Sequence, residues 1–154
     1  MSNNKVFTVI IEKLVFGGKG LARLENGQVI FVVGDCLPGE QVEVQIYKKK
    51  RDYKEARVIK RLSDSPLRIK APCPYFGKCG GCTVQSLAYD NQMKVKQEYV
   101  EETIYGFNEL KDVTILPIQK SEMQWKYRHK LELTFFAEND GSVSLGFFYK
   151  GTWF

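Results

Sequence analysis

The chain has 154 residues, 44% of them apolar and 27% charged, enough for one ordinary domain or two small ones, with the composition of a folded protein. No run of about 18 apolar residues occurs, which argues against a membrane-spanning helix, and Met1–Val6 is polar, with no secretory h-region. The net charge of +5 is uneven: residues 1–70 hold 14 Lys or Arg against 8 Asp or Glu, and residues 71–154 hold 9 against 10. The expected setting is the cytosol, where cysteines more often bind metal or react than form structural disulfides, and the first half points to an anionic partner.

Lys5–Glu12 is rich in β-branched residues and predicts a first strand. Gly17-Gly18-Lys19-Gly20 interrupts it, and Leu21–Glu25 resumes. The glycine stretch lacks the six-residue span and the Ser or Thr of a P-loop, so it reads as a hairpin turn that exposes Lys19 to phosphate. Asn26-Gly27 is a two-residue hairpin signal, Gln28–Val33 a third strand, and Pro38-Gly39 a further turn. Gln41–Lys48 alternates, with Val42, Val44 and Ile46 on one face, and Lys54–Leu62 is a fifth strand with Ala56 and Val58 inward. Five short strands over residues 1–62 predict a small closed or nearly closed β-barrel.

Lys48, Lys49, Lys50 and Arg51, followed by Tyr53 and Lys54, occupy a strand end and its loop. Packed cations repel one another and attract phosphate, while Tyr53 is suited to stacking on an unpaired base. The segment is the first candidate RNA contact.

Residues 63–85 form a connector and a loop too rich in Gly and Pro for regular structure. The loop holds Cys73, Cys79 and Cys82, with glycines at 77, 80 and 81 that let the thiolates converge on one metal. Zinc and iron–sulfur sites share the Cys79-x-x-Cys82 spacing, and spacing alone leaves both open. Either needs four ligands as a rule. Cys36 reads as a small apolar residue of the barrel. Tyr75 and Phe76, within the loop, are expected to shield the metal.

Ser86–Phe107 carries a helical pattern, with Met93, Gln97, Val100, Ile104 and Phe107 forming a core stripe and Gly106 a stop. Asp112–Ile118, Lys126–Phe136 and Ser142–Tyr149 read as strands, the last two joined through Asn139-Asp140-Gly141. Residues 86–154 are thus expected to be α+β, and the abrupt end at Trp153-Phe154 suggests an interrupted domain. In a strand, Lys126, Arg128 and Lys130 would share one face as a second RNA contact, with His129 on the apolar side as a structural residue.

Three stretches make the chain resemble the N-terminal part of bacterial RNA (uracil-5-)-methyltransferases that carry a TRAM domain. The first is Phe31 to Glu40, with its Leu37-Pro38-Gly39-Glu40 turn. The second runs from Ser65-Pro66 through the three cysteines to Gln85, Leu87, Tyr89, Gln92 and Lys96. The third is Tyr127-Arg128-His129-Lys130 with Leu145-Gly146-Phe147, where His129 departs from the usual pattern. The resemblance implies an OB-like TRAM barrel that binds ribosomal or transfer RNA, and a [4Fe–4S] cluster held by Cys73, Cys79 and Cys82, with a fourth ligand further on. It also implies a parent enzyme that methylates uracil C5 with S-adenosylmethionine through a downstream catalytic domain. No catalytic residue is expected within residues 1–154. The rival expectations are a stand-alone TRAM RNA-binding protein and a redox-sensing iron–sulfur protein.

Overall fold

A computed structural model describes residues 5–150. It begins with a six-stranded sheet: β1 (Val6–Ile10), β2 (Lys13–Val15), β3 (Lys19–Arg23), β4 (Val29–Val33), β5 (Gln41–Lys49) and β6 (Tyr53–Arg61). Their order across the sheet is β1-β5-β6-β4-β3-β2. All neighbours are antiparallel except β4 and β6, which run parallel because β5 lies between them in sequence.

The first and last strands of that order are consecutive in the chain. Ile11 receives the backbone bond of Gly39 and donates to Glu40, on the β5 side, while Glu12 donates to Leu21, on the β3 side. One bent segment thus serves both ends of the sheet, which curls around its core. The expectation of five strands is corrected to six. The bend at Ile11–Glu12 splits the first apolar run, and Lys13–Val15 pairs with β3 beyond it. The turn at Gly17-Gly18, both at positive φ, joins β2 to β3 as the glycines required.

Alternation sets the core. Val9, Ala22, Ile30, Val32, Val42, Val44 and Ala56 are all buried, joined by Ile11 and Cys36. Val42, Val44 and Ala56 point inward as expected, and Cys36 is a core residue whose thiol lies 3.9 Å from the Val32 carbonyl oxygen. Burial raises the pKa of that thiol to about 11.

A smaller cluster of Leu14, Leu37 and Leu87, with Val84, Val95 and Tyr99 against it, fastens the sheet to helix α1 (Tyr89–Tyr105). The helix therefore packs through Val95 and Tyr99. Of the expected stripe only Met93 is buried; Val100 and Phe107 are about half exposed.

A single turn of 3-10 helix (Asn108–Leu110) follows, and then β7 (Thr134–Ala137) and β8 (Val143–Gly146) form a separate hairpin closed by Gly141 at positive φ. Asp112–Ile118 is not a strand, and neither is Lys126–Leu133. Both are β-prone in composition, but a strand needs a partner's backbone groups and the described residues offer none. Lys126 itself sits at φ 57°, outside the extended region. The chain end at Trp153-Phe154 lies outside the described residues.

Candidate nucleic-acid interface

The basic loop is the tip of the β5–β6 hairpin. Lys49 pairs with Lys54 across the ladder, and Lys50 donates its backbone N–H to the Tyr53 carbonyl at 2.9 Å. The tip of the turn is Arg51-Asp52, where the Arg51 guanidinium lies 4.0 Å from Asp52 with both side chains almost wholly exposed. So loose a pair is worth little in water and leaves Arg51 available to phosphate.

Behind the tip, the outer face of the sheet carries a group that the sequence did not announce. Phe31 alternates with buried Ile30 and Val32, so it points away from the core, and its β6 neighbours in register are Tyr53 beside Val29 and Glu55 beside Phe31 itself. The Phe31 and Tyr53 rings meet edge to face with centroids 5.2 Å apart. A register shift between Ile46 and Lys48 makes Tyr47 the extra residue of a bulge. A bulge can turn two successive side chains toward one face. Tyr47 Oη lies 3.4 Å and Lys48 Nζ 3.6 Å from the same Glu55 oxygen, Oε2.

Lys19 reaches the other oxygen of Glu55 at 3.3 Å, and Arg57 stands over the Tyr47 ring at 5.8 Å. Burial by itself would raise the Glu55 pKa. The hydrogen bonds and charges of Lys19 and Lys48, with the Tyr47 hydroxyl, outweigh it and hold the carboxyl below its ordinary value. Lys19, expected as a free turn cation, is therefore ion-paired.

The cysteine loop is tied to the chain's last described residues. Gly80 donates to the Phe148 carbonyl at 2.8 Å, and Lys150 donates to that of Lys78 at 2.7 Å. A Cβ on Gly80 would stand 2.8 Å from that Phe148 oxygen, so only glycine permits the approach. Tyr75 is exposed, whereas Phe76 lies under the Lys150 ammonium. Arg128 donates to the Gly81 carbonyl at 3.1 Å, which places it on this loop. Lys126 and Lys130 are exposed and Lys130 pairs with Glu132, so the three cations do not form one strand face. His129 is exposed and belongs to no apolar side.

For a metal, the donors fit in kind and fall short in number. Cys73, Cys79 and Cys82 share one loop, and the Gly81 N–H points at Cys79 Sγ from 3.4 Å, the contact that stabilises a thiolate. Among the described residues, no three His, Cys, Asp or Glu side chains come close enough together to hold an ion.

The turn at Leu37–Glu40 has a role that its sequence did not reveal. Glu40 is fully buried, and accepts from the Leu37 N–H at 2.9 Å, the Ser65 N–H at 3.3 Å and Arg68 Nη2 at 2.9 Å. Arg68 also bonds Asp35 at 2.6 Å, and Asp35 in turn accepts from the Ser86 hydroxyl. This ionic clasp joins the sheet to the segments on both sides of the cysteine loop.

These features define a small curled β-sheet with a cationic hairpin, the form of a nucleic-acid-binding module. Residues 2–59 of the chain match the TRAM domain family. The chain as a whole is similar to the corresponding part of bacterial RNA methyltransferases. An uncharacterised RNA methyltransferase of Caldanaerobacter subterraneus is 36% identical over 154 residues, covering 100% of this chain and 34% of the relative. One from Aquifex aeolicus is 40% identical over 129 residues, 84% of this chain and 30% of its own length. The 23S rRNA (uracil(1939)-C(5))-methyltransferase of Photorhabdus laumondii is 45% identical over 102 residues, 66% of this chain and 23% of its own. The chain thus spans about a third or less of these curated relatives. Among the described residues, no helix is long and apolar enough to cross a membrane.

Proposed function

We propose that this chain is the RNA-handling part of an S-adenosylmethionine-dependent RNA uracil-5-methyltransferase acting on ribosomal RNA, with transfer RNA the other substrate class. The observation that carries the reading is the cationic β5–β6 hairpin on a TRAM sheet, in a chain whose relatives are RNA methyltransferases. Lys49, Lys50, Arg51 and Lys54 take phosphates, and Lys126, Arg128 and Lys130 extend the contact past the cysteine loop. No residue of the chain is given a catalytic role; the chain positions RNA for chemistry performed elsewhere.

Cys73, Cys79 and Cys82 supply three thiolates of a [4Fe–4S] cluster in this reading. When bound, the cluster would cross-link a loop whose own backbone bonds run only between near neighbours, from Phe76 to Cys73 and from Lys78 and Cys79 to Tyr75. The protein's own part is to hold the loop backbone through Phe148 and Lys150 and to aim Arg128 at it. Iron and sulfide content after anaerobic reconstitution tests this, with Cys79→Ser as the control. A protein that takes up no more iron than the variant lacks the site.

For RNA, Lys49→Glu combined with Arg51→Glu removes two phosphate contacts. Affinity for a 23S rRNA fragment is expected to fall, and the slope of log affinity against log salt to flatten by roughly one unit or more. Binding that is unchanged and insensitive to salt would falsify the proposed interface.

A further inference from the structure

The outer face of the sheet is more than a phosphate contact. We infer that Phe31, Tyr53 and Tyr47 form a stacking platform for the bases of an unpaired RNA segment, with Glu55 at its centre turning the backbone of that RNA to the rim. This rests on the RNA-binding reading above and deepens it, by naming single-stranded RNA as the form this face selects.

A face meant only for phosphate would carry cations alone, yet this one puts two rings in edge-to-face contact, a third capped by Arg57, and a carboxylate among them. Every base has a π-face, so aromatic side chains on a sheet accept bases of any sequence. The Phe31 edge pairing with Tyr53 holds both rings in place before RNA arrives, which reduces the ordering cost of stacking.

Glu55 then decides which part of the RNA can lie on the rings. Its side chain is 13% exposed and its two oxygens face Lys19 and Lys48. A phosphate placed over the centre finds Lys19 and Lys48 already engaged by the carboxylate, while one at the rim meets exposed Arg57, Lys49, Lys50 or Arg51. Only a strand with its bases turned inward satisfies both. A duplex, whose bases are stacked on each other and whose outside is phosphate, cannot.

The test compares an unstructured RNA oligonucleotide with a fully paired RNA duplex of equal length, bound to the whole chain at low salt. The wild-type protein is expected to favour the single strand. Phe31→Leu with Tyr53→Leu keeps apolar bulk but loses both rings, and is expected to weaken single-strand binding about tenfold while leaving duplex binding unchanged. Tyr53→Phe keeps the ring and should bind like wild type. Glu55→Gln is expected to strengthen duplex binding severalfold and so to erode the preference. Circular dichroism verifies that each variant is folded.

Single-strand affinity unaltered by loss of both rings, in a folded variant, overturns the platform while the hairpin reading stands. A wild-type protein that binds neither RNA overturns both. Equal loss of single-strand and duplex binding in the ring variant also overturns the platform, since it marks general damage to the surface.

Discussion

At the scale of single residues, the Glu40–Arg68 pair is the interaction with most at stake. The Glu40 side chain is wholly buried and that of Arg68 is 11% exposed, so removal of either partner strands a charge out of water. Arg68→Met is expected to destabilise the protein by about 3 kcal/mol, seen as a lower urea midpoint with an unchanged slope. Adding Glu40→Gln to that variant should recover part of the loss, because the amide carries no charge to strand and its single oxygen still accepts from one of the Leu37 and Ser65 N–H groups, which bond different Glu40 oxygens. A single variant as stable as wild type would show that the clasp contributes nothing net. The sequence marked Leu37–Glu40 as a recognisable turn but not as an ionic anchor, because Asp35, Arg68 and Ser86 are brought to it only by the fold. Cys36 was legible by contrast: a lone thiol among apolar strand residues is a core residue here.

Among the elements, legibility followed the source of stability. Strands β3 to β6 fall within two residues of their expected bounds because alternation and Gly turns are local signals. β2 was hidden because three residues carry no period, and its existence depends on pairing with Lys19–Leu21. The outer-face group was hidden for a related reason: Phe31, Tyr53 and Glu55 are neighbours only through the parallel β4–β6 register. The helical period marks α1 but not its packing face, which Val95 and Tyr99 supply through contacts distant in sequence. Its N-terminus also leaves room for improvement: Ala88 at the N-cap provides no side-chain bond to the free N–H groups of the first turn. Asp90 in that turn is engaged by Lys120 at 2.6 Å. Ala88→Ser, with the cap backbone already at φ −58° and ψ 146°, should therefore raise stability by about 1 kcal/mol in urea denaturation. No gain would mean that the helix end is held by its docking on Leu87 and Leu37 alone.

For the whole molecule, the distribution of order should determine where it opens. Every strand of the sheet is laddered to at least one neighbour, and the sheet is pinned to the cysteine segment by the clasp and by the Leu14–Leu37–Leu87 cluster. Residues 112–133 have no regular element, and Leu116, Met123, Trp125, Tyr127 and Leu131 stand at least half exposed. A protease needs an extended stretch of backbone that can be lifted from the fold, and local opening is least costly where few contacts must break. The hairpin tip at Lys48–Arg51 is equally accessible, but its backbone is held by pairing on both sides. Trypsin at low concentration is therefore expected to cut first at Lys120, Lys126 or Lys130. The product would be a fragment containing β1 to α1, and mass spectrometry of the early time points would assign the sites. The Arg128 bond to Gly81 should make that position slower than its two neighbours. First cleavage within the β5–β6 hairpin would contradict this order, and would mean that the cationic tip moves independently of the sheet behind it.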